Sequence, residues 1–543
     1  MQKQRLTRIA LAAITLFVLL PLPLIRAGSS PAVFNVKDYG ATGQKEQIAT
    51  LAIQQAIDAC AKAGGGKVYL PPGEYTSGTL HLRSHVRFYI EAGATLYASP
   101  KESDFDKPAL FYGEDLQNVS IEGHGTVDGQ AQYVWRLNDM TDFYIRDNML
   151  AAQAAGVPLM RSFPKDLETR KTYPHLIQII RCEDLKITGL WFLHSPSWSI
   201  NLWGCERVTI DGIYVHTSQK YGVWADGIDP DGCKDLIIAN SVIETGDDAV
   251  VFYSTNTFGP ARPCENITIT NCRLSSASSA IKFCDGNQNS VRNVTIDNCV
   301  ITGSNRGIAF MVFDGGYVDN VVLSNLVVNC KRYAWYWWGN GDPIYFIIRR
   351  RGEIEGKTPG PNDPPAGSIR NVIIRNVIAH GQGSCLITGH PESWLKNVSL
   401  ENIKFFLSSD SSVAGYDRSV DAMQFRYAKN LKVKDVEVFW EKPASAKWRS
   451  ALTFQNIAGL RLEGFAGGPA KPGTDVPAVV LNNVTDATIL NSFPSPGTEL
   501  FADIKGSKSQ GIYLVGNELH GVRTHFQVED GATESAVKEA NNF

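Results

Sequence analysis

A four-residue pattern that recurs along the middle of this chain constrains its fold more than any other feature. Each copy has two variable positions, then a small residue, then an apolar residue. The copies are Ser197-Trp198-Ser199-Ile200, Ala225-Asp226-Gly227-Ile228, Asp247-Asp248-Ala249-Val250, Ser278-Ser279-Ala280-Ile281 and Asn305-Arg306-Gly307-Ile308. The second position advances by 28, 22, 31 and 27 residues. A unit of this length that buries an apolar residue once per turn is typical of a solenoid of stacked coils.

The start of each coil indicates strands rather than helices. A polar residue precedes a short run of alternating apolar residues, as in Asn266-Ile-Thr-Ile, Asn293-Val-Thr-Ile and Asn397-Val-Ser-Leu. Such runs are typical of short strands that follow a turn. Several of these asparagines begin Asn-X-Ser/Thr sequons, and their periodic placement favours a structural role over glycosylation. We therefore predict an all-β solenoid.

Stacking determines where the side chains of the repeated pattern lie. Neighbouring parallel strands are about 4.8 Å apart, so residues at one position of successive coils form a column. The second positions of the repeat predict a column on one outer face, in the order Trp198, Asp226, Asp248, Ser279 and Arg306. We call this set the site column and expect the active site on it.

One helix is predicted near the start of the chain, where apolar residues follow the spacing of one helical face. These residues are Ile53, Ala56, Ile57 and Cys60. The run ends at Gly64-Gly65-Gly66, and the helix would cover the exposed edge of the first coil. We predict a single domain with one such cap.

The rest of the chain is divided by the strength of the repeat. We predict an N-terminal cap and first coils over residues 28–110, the solenoid over 111–525, insertions near 131–172 and 334–367, and a polar tail over 526–543. Insertions of this length usually have a function. Those around Trp135 and from Trp335 to Arg351 should rise beside the site column, because bare sheet offers a ligand little shape.

The N-terminus resembles a secretion signal. Lys3, Arg5 and Arg8 precede an apolar run over residues 9–20, and a small residue follows at Ala27. This run is too short to span a bilayer and suits the apolar region of a signal peptide over residues 1–27. We expect an exported protein, periplasmic or extracellular, that leaves the membrane after cleavage; an uncleaved anchor is the alternative.

Charge and cysteine content exclude some classes of protein. A net charge of −3 gives no general basic field, so nucleic acid is not an expected partner. The ten cysteines show no spacing typical of a zinc site. Cys182, Cys205, Cys233 and Cys264 each open a coil, which predicts a ladder of stacked small side chains, with disulfides between adjacent coils as the alternative.

Three acids on adjacent coils suggest carbohydrate chemistry. Cleavage of a glycosidic bond needs one carboxylic acid to protonate the leaving oxygen and a second carboxylate to activate water or attack the sugar. Asp226, Asp247 and Asp248 supply these groups, although Gly-Asp-Asp is also a common turn sequence. Asp229 and Asp231 lie in Asp-Pro-Asp-Gly, which predicts a structural turn.

Several stretches resemble glycoside hydrolase family 28, the polygalacturonase and rhamnogalacturonan hydrolase group. They are His194-Ser-Pro-Ser-Trp198, Ala225-Asp-Gly-Ile-Asp-Pro230, Thr245-Gly-Asp-Asp-Ala249, Phe34-Asn-Val-Lys-Asp-Tyr-Gly40 and Pro71-Pro-Gly-Glu-Tyr75. The resemblance covers roughly residues 33 to 400. It implies a right-handed parallel β-helix and inverting hydrolysis of pectic α-glycosides. It also implies that Asp247 is the general acid and that Asp226 with Asp248 holds the attacking water.

The sequence also departs from the family pattern. The family's Asn-Thr-Asp, Gly-His-Gly and Arg-Ile-Lys fall on Trp224-Ala225-Asp226, Ser278-Ser279-Ala280 and Ala309-Phe310-Met311. The histidine and both cations are therefore absent. Lys282 and Arg306 are the candidates to replace them, and the remaining predicted substrate-binding residues are Trp198, Trp224 and Ser279.

Two other functions are consistent with the same residues. A lyase on this scaffold would bind calcium at the acids and remove a proton beside a uronate. A non-catalytic carbohydrate-binding solenoid would use the tryptophans and leave the acids incidental. Our prediction is the hydrolase, acting as a monomer on a polysaccharide or oligosaccharide without metal or cofactor.

Overall fold

The computed structural model describes residues 32–134, 174–219, 222, 224–333, 339–354, 358–410 and 417–543. The predicted signal peptide, Trp135 and the tryptophans at 335, 337 and 338 lie outside the described residues. No helix in the described ranges is long and apolar enough to cross a membrane.

Strands make up most of the described chain. The first twelve are β1 (Val33–Asn35), β2 (Gly66–Leu70), β3 (Gly73–Ser77), β4 (Leu80–His81), β5 (Val86–Ile90), β6 (Ala94–Ala98), β7 (Ala109–Gly123), β8 (Thr126–Asp128), β9 (His175–Thr188), β10 (Trp191–Leu193), β11 (Ile200–Trp203) and β12 (Glu206–Asp211). The next twelve are β13 (Tyr214–His216), β14 (Ile228–Asp231), β15 (Lys234–Ala239), β16 (Val242–Thr245), β17 (Val250–Ser254), β18 (Cys264–Thr270), β19 (Arg273–Ser276), β20 (Ser279–Asn287), β21 (Ser290–Ser304), β22 (Arg306–Val312), β23 (Tyr317–Cys330) and β24 (Asp342–Ile348). The last are β25 (Ser368–Gly381), β26 (Cys385–Thr388), β27 (Leu395–Leu407), β28 (Met423–Trp440), β29 (Leu452–Glu463), β30 (Ala466–Gly467), β31 (Pro477–Leu490), β32 (Phe493–Pro494), β33 (Leu500–Lys505), β34 (Gln510–Val515), β35 (Thr524–Glu529) and β36 (Val537–Ala540).

Helices are few and short in the described parts of the chain. The α-helices there are α1 (Thr50–Lys62), α2 (Ala131–Val134) and α3 (Arg351–Ile354), and the 3₁₀ helices are Val36–Tyr39, Glu102–Asp104 and Glu534–Ala536. Helix α1 buries Ile53, Ala56, Ile57 and Cys60 against the first strands, as the apolar spacing predicted. The N-terminal capping helix is therefore confirmed.

The strands stack in parallel ladders, each strand pairing with the equivalent strand of the next coil. One ladder contains β11, β14, β17, β20, β22 and β24 in that order, and we call it the site sheet. A second contains β12, β15 and β18, and a third contains β10, β13, β16 and β19. The architecture is a single-stranded right-handed parallel β-helix, so the predicted fold class is confirmed.

The register of the site sheet confirms the site column. Ile200 pairs with Ile228, which pairs with Val250, and the series continues through Ile281 and Ile308. Each column residue lies two positions before one of these apolar residues. The sequence frame therefore matches the strand register.

Aromatic rings stack inside the coils behind the site sheet. Phe252, Phe283, Phe310 and Phe346 lie on successive strands and are fully buried. Their centroids are 5.2, 4.1 and 4.1 Å apart in that order. Each coil adds a ring to one continuous apolar stack, so burial of apolar surface holds neighbouring coils together.

Repeated asparagines stack on the exterior, and we call them the asparagine ladder. Its members are Asn266, Asn293, Asn320, Asn371, Asn397 and Asn430. Each has a positive φ, a conformation that asparagine tolerates better than most residues. From Asn293 onward, each side-chain amide donates to the previous Oδ1 at 2.8–3.3 Å. The predicted structural role of these asparagines is confirmed.

The cysteines form ladders without bonds between them. All nine cysteines whose side chains the structure describes are free and buried. The Cys205 and Cys233 thiols donate instead to the carbonyls of Ile179 and Leu202, each at 3.5 Å. Burial raises the pKa of the Cys60 thiol to about 11. Stacking of small side chains, and not the disulfide alternative, describes these cysteines.

Two predicted boundaries are wrong. Strand β24 lies within the predicted insertion 334–367, so that segment is two connections on either side of a strand of the site sheet. The predicted polar tail forms the last coil, in which Val537 pairs with Ile512 and is buried. One face of each strand is solvent-exposed, which makes a terminal coil polar in composition.

Candidate active site

The acids lie where the chain enters the site sheet. Asp226 precedes β14, and Asp247 with Asp248 precedes β17. The small residue that follows each column position has a steric reason, because a Cβ on Gly227 would lie 2.3 Å from the carbonyl oxygen of Ala249. The Gly227 amide donates to the Asp248 carbonyl at 2.9 Å. Close contact of the two backbones therefore brings the side chains of adjacent coils together.

The structure brings the three predicted catalytic acids into one cluster. Asp226, Asp247 and Asp248 are all buried, and each offers a carboxylate oxygen within 4.8 Å of the others. Asp247 Oδ1 also accepts from the backbone amide of Asp248 at 3.0 Å. These positions suit groups that act together on one bond.

Lys282 and Ser279 both contact Asp248. Lys282 Nζ donates to Asp248 Oδ2 at 2.8 Å, and the Ser279 backbone amide donates to Oδ1 at 2.9 Å. Hydrogen bonds to an ionised carboxylate are stronger than those between neutral groups. The sequence predicted that Lys282 replaces a substrate-binding cation, and the structure places its ammonium group on one of the three acids.

Asp226 has the opposite environment. Burial is the largest cause that raises its pKa well above the usual range, followed by the charges of Asp247, Asp229 and Asp248. Lys282 offsets only part of this effect. Asp226 Oδ1 is buried and has no hydrogen-bond donor among the described residues. Asp226 and Asp248 are therefore unlike carboxyl groups on adjacent coils.

Asp229 and Asp231 do not form the predicted turn. Both lie within β14, which pairs with β11 and β17. Asp231 accepts from the amide of Thr255 at 2.7 Å and from its hydroxyl, although burial still raises its pKa to about 6. Asp229 is fully buried and faces the acids. Pairing on both sides overrides the local turn preference of Asp-Pro-Asp-Gly.

Aromatic side chains border the acids on the preceding coils. Trp198 lies one rung before Asp226, and its ring stacks with His175 and Tyr253 at centroid distances of 5.5 and 5.7 Å. His175 occupies the next position of the same column. Burial lowers the pKa of His175 to about 4, so its ring is neutral near pH 7. Trp224 lies two residues before Asp226 and is half-buried.

Arg306 lies two rungs beyond Asp248 in the site column. Its guanidinium carbon is 4.6 Å from the centre of the Tyr345 ring, and its Nε is buried without an acceptor among the described residues. Both polar side-chain atoms of Asn305 are buried and, within the described ranges, unpaired. Unpaired buried polar groups are costly, so these two side chains are candidates to contact a polar ligand.

The sequence reasoning missed three residues near the acids. His175 and Asp342 extend the site column at its two ends, since Ile177 pairs with Ile200 and Arg306 pairs with Asp342. Each precedes an isoleucine by two positions, which is the frame that could have identified them. No sequence pattern could have identified Tyr253, because its ring reaches Trp198 only through a contact between residues on different coils.

The predicted cleft walls have different positions in the topology. Trp135 belongs to the connection between β8 and β9, and Trp335 belongs to the connection between β23 and β24. The acids lie in the equivalent connections of other coils, between β13 and β14 and between β16 and β17. Their own structure is outside the described residues. Arg350 and Arg351 follow β24 at its other end and form ion pairs with Glu392 and Asp314.

The acid cluster does not fit a calcium ion. Three carboxylates with this spacing could supply oxygen ligands, and calcium takes about six to eight. However, the Lys282 ammonium is 2.8 Å from Asp248 Oδ2, where it already supplies a positive charge and would repel a second one. We therefore assign no step to a metal.

Comparisons with known proteins point to one family for the segment that carries the acids. The model described as glycosyl hydrolases family 28 matches residues 160–330, which include all three acids, and one described as rhamnogalacturonase A/epimerase, pectate lyase-like, matches residues 33–143. An exopolygalacturonase of Platanus acerifolia is 29% identical over 249 residues, or 45% of this chain and 57% of the relative. Residues 160–330 are therefore similar to glycosyl hydrolases family 28.

The family match agrees with the fold, although sequence identity to individual relatives is low. A "probable polygalacturonase" of Vitis vinifera is 27% identical over 40% of this chain and 44% of the relative. The chain thus spans about half the length of the curated relatives it matches. The structure of a hyperthermoactive exopolygalacturonase from Thermotoga maritima superposes with a TM-score of 0.58 at 21% identity, covering 76% of this chain and 93% of that one. That likeness supports the fold alone.

Proposed function

We propose that this chain is an exported glycoside hydrolase of family 28 that cleaves α-glycosidic bonds of a pectic, galacturonan-like, or related acidic polysaccharide. The observation that carries the proposal is the convergence of Asp226, Asp247 and Asp248, with oxygens within 4.8 Å of one another. Glycoside hydrolysis needs such a group of carboxyls. The exopolygalacturonases among the relatives support a galacturonan-like substrate.

The proposed mechanism gives each acid a role. Asp247 donates its proton to the leaving glycosidic oxygen, while Asp226 and Asp248 hold the attacking water. Lys282 and the Ser279 amide stabilise the charge of Asp248, which suits it to accept a proton from that water. Crowded buried carboxyls favour a retained proton, which we assign to Asp247 in the resting enzyme.

The stereochemical outcome needs a direct measurement. Inverting sites usually keep their carboxyl groups about 6.5 to 9.5 Å apart, and retaining sites about 5 to 5.5 Å. The nearest oxygens here lie within 4.8 Å, because the acids occupy adjacent coils. This spacing favours retention, whereas the family resemblance implies inversion, and we propose inversion with a water between Asp226 and Asp248. NMR of the first-formed anomer decides, and a retained anomer would make one acid a nucleophile.

Recognition of the acidic sugar is proposed for Arg306. The Nε of its guanidinium is buried without an acceptor among the described residues, and a planar fork of donors suits a uronate carboxylate. Trp198 and Trp224 would add aromatic contact area against pyranose rings. Lys282 and Ser279 would act on the substrate indirectly, through Asp248.

The deciding experiment is product analysis of the wild-type protein on polygalacturonate, with Asp247→Asn as the inactive comparison. Saturated galacturonic acid products from the wild type alone would support the hydrolase. Unsaturated, ultraviolet-absorbing products together with loss of activity in a chelator would identify a lyase. Binding of the polymer without any cleavage would identify a non-catalytic carbohydrate-binding solenoid.

Export and a monomeric state are part of the same proposal. Residues 1–27 have the pattern of a cleaved signal peptide, and a polymeric substrate outside the cytoplasm agrees with it. We assign no cofactor and no nucleic acid partner. N-terminal sequencing of the exported protein should begin just after Ala27, and retention of the intact N-terminus in the membrane fraction would identify an anchor instead.

A further inference from the structure

Asp229 is a buried carboxyl group that the proposed mechanism does not use. It is fully buried on β14, and no N–H or O–H group of the described residues donates to either of its oxygens. Its carboxyl group lies on the same strand entry as Asp226, and the interactions that act on its pKa include a side-chain hydrogen bond with Asp226. Asp226 Oδ1 is also without a donor in the described ranges. Two carboxyl groups in contact form a hydrogen bond only when one of them holds a proton.

The surrounding charges make that proton necessary. The charged or titratable groups that face Asp229 are Asp226 just before its own strand, Asp247 and Asp248 before β17, and Lys282 on β20. The neighbouring residue on β11 is the neutral Asn201. Four ionised carboxylates with one ammonium would leave three unbalanced negative charges in a buried cluster. Like charges at such distances strongly disfavour full ionisation.

We propose that Asp229 and Asp226 share one proton, and that Asp229 is a positioning residue that orients the Asp226 carboxyl toward the attacking water. This inference rests on the proposed function. The shared proton stays between an oxygen of each residue throughout turnover. The proton given by Asp247 and the one taken by Asp248 are separate, and exchange with solvent restores them. The pair therefore carries a single negative charge beside the ion pair of Lys282 and Asp248.

The electrostatics support this arrangement. Burial is the main cause that raises the pKa of both carboxyls well above the usual range. For Asp229 the next causes are the charges of Asp248 and Asp247. A folded-state pKa above the unfolded value of about 3.9 means that the native state binds the extra proton. The resulting stability is fully present below the unfolded pKa and is lost as pH rises through the folded pKa.

The first test measures this linkage without any activity assay. Thermal unfolding of the full chain is recorded across pH for wild type, Asp229→Asn and Asp231→Asn. The wild-type protein should lose stability as pH rises through the folded pKa of the pair, and Asp229→Asn should lack that loss. Asp231→Asn should keep the loss that belongs to the pair and remove only the separate loss near pH 6 that follows from the raised pKa of Asp231 itself. An Asp229→Asn curve identical to the wild type would overturn the shared proton.

The second test uses kinetics on polygalacturonate. The side-chain amide introduced by Asp229→Asn would still donate to Asp226, so kcat should stay within about tenfold of wild type. Asp229→Leu removes the donor and should lower kcat roughly 10- to 100-fold with KM little changed. The alkaline limb of the Asp229→Asn pH profile should move to higher pH, since an amide cannot lose the shared proton. The Asp231→Asn profile should match the wild type.

The outcomes separate the two proposals. Equal losses of kcat in Asp229→Asn and Asp229→Leu would overturn the positioning role, because the donor would then be irrelevant. If the wild type cleaves no galacturonan, the proposed function fails while the unfolding curves still decide whether the proton is shared. If Asp229→Leu does not fold, Asp229→Asn and its pH profile still decide.

Discussion

The asparagine ladder and the site column are built on the same coils but treat their polar groups in opposite ways. In the ladder, each amide from Asn293 onward donates to the asparagine of the previous coil. In and beside the column, Asp226 Oδ1, Ser279 Oγ and Arg306 Nε are buried with no partner in the described residues. Stacked asparagines satisfy one another because each side chain carries both a donor and an acceptor, whereas these three column atoms have no matching group on the next rung.

The difference indicates what each surface does. A ladder whose amides are hydrogen-bonded to one another contributes to stability and offers a ligand few free hydrogen-bonding groups. A column with unpaired buried groups costs stability, and such costs are usual at functional sites. Substitutions in the column should therefore change activity more than stability, and substitutions in the ladder should do the reverse. The following variants test that contrast, from the largest expected effect to the smallest.

Asp247→Asn should have the largest effect on activity. The amide keeps the shape of the side chain but cannot protonate the leaving oxygen, so kcat should fall by about two to four decades. Initial rates on polygalacturonate measure the change in activity, and a thermal unfolding curve measures the change in stability. Wild-type turnover in a folded Asp247→Asn protein would show that another group is the acid.

Lys282→Met should lower activity less than Asp247→Asn. Without the ammonium group, the buried Asp248 carboxylate loses the charge-assisted contact that Lys282 Nζ supplies at 2.8 Å. We expect kcat at neutral pH to fall by roughly one to two decades, since a charge-assisted contact to the base is lost. Lys505→Met is the control, because Lys505 pairs with Asp503 and Glu529 far from the acids. Wild-type kcat in a folded Lys282→Met protein would contradict our account of Asp248.

Arg306→Gln should act on substrate affinity. Loss of a charged hydrogen bond to a uronate should raise KM roughly 10- to 100-fold on acidic oligosaccharides, with kcat changed only a few-fold. The ratio of KM between acidic and methyl-esterified substrates measures the charge directly. Arg292→Gln removes an arginine that already pairs with Glu265 and should leave that ratio unchanged. A KM ratio unaffected by Arg306→Gln would remove Arg306 from uronate recognition.

Asn320→Ala should leave activity unchanged and lower stability. Alanine at a φ of 55° is strained, and the hydrogen bonds to Asn293 and Asn371 are lost. We expect a loss of about 1–2 kcal/mol in the free energy of unfolding. Asn320→Gly accommodates the backbone without strain, so the difference between the two variants separates strain from hydrogen bonding. A fall in kcat/KM with either variant would contradict the expectation that ladder substitutions change stability and not activity.

Much of the fold and of the acid cluster could be predicted because the repeat is local. A small residue and an apolar residue recur once per coil, and stacking then aligns everything in the same frame, including Asp226 and Asp248. The sequence prediction was wrong where the local sequence favoured a turn or an insertion but the segment pairs as a strand with its neighbours. Asp229 and Asp231 have turn chemistry but lie in a strand, and β24 has a strand frame inside the predicted insertion.

The sequence by itself determined the coil, its register and the identity of the column residues, since each depends on spacing along the chain. Only the tertiary structure decided how those residues interact. The ion pair of Lys282 with Asp248 and the stack of Tyr253 on Trp198 join different coils, and the contact of Asp229 with Asp226 joins two side chains three positions apart. Such contacts depend on side-chain direction and burial, which a one-dimensional pattern does not encode.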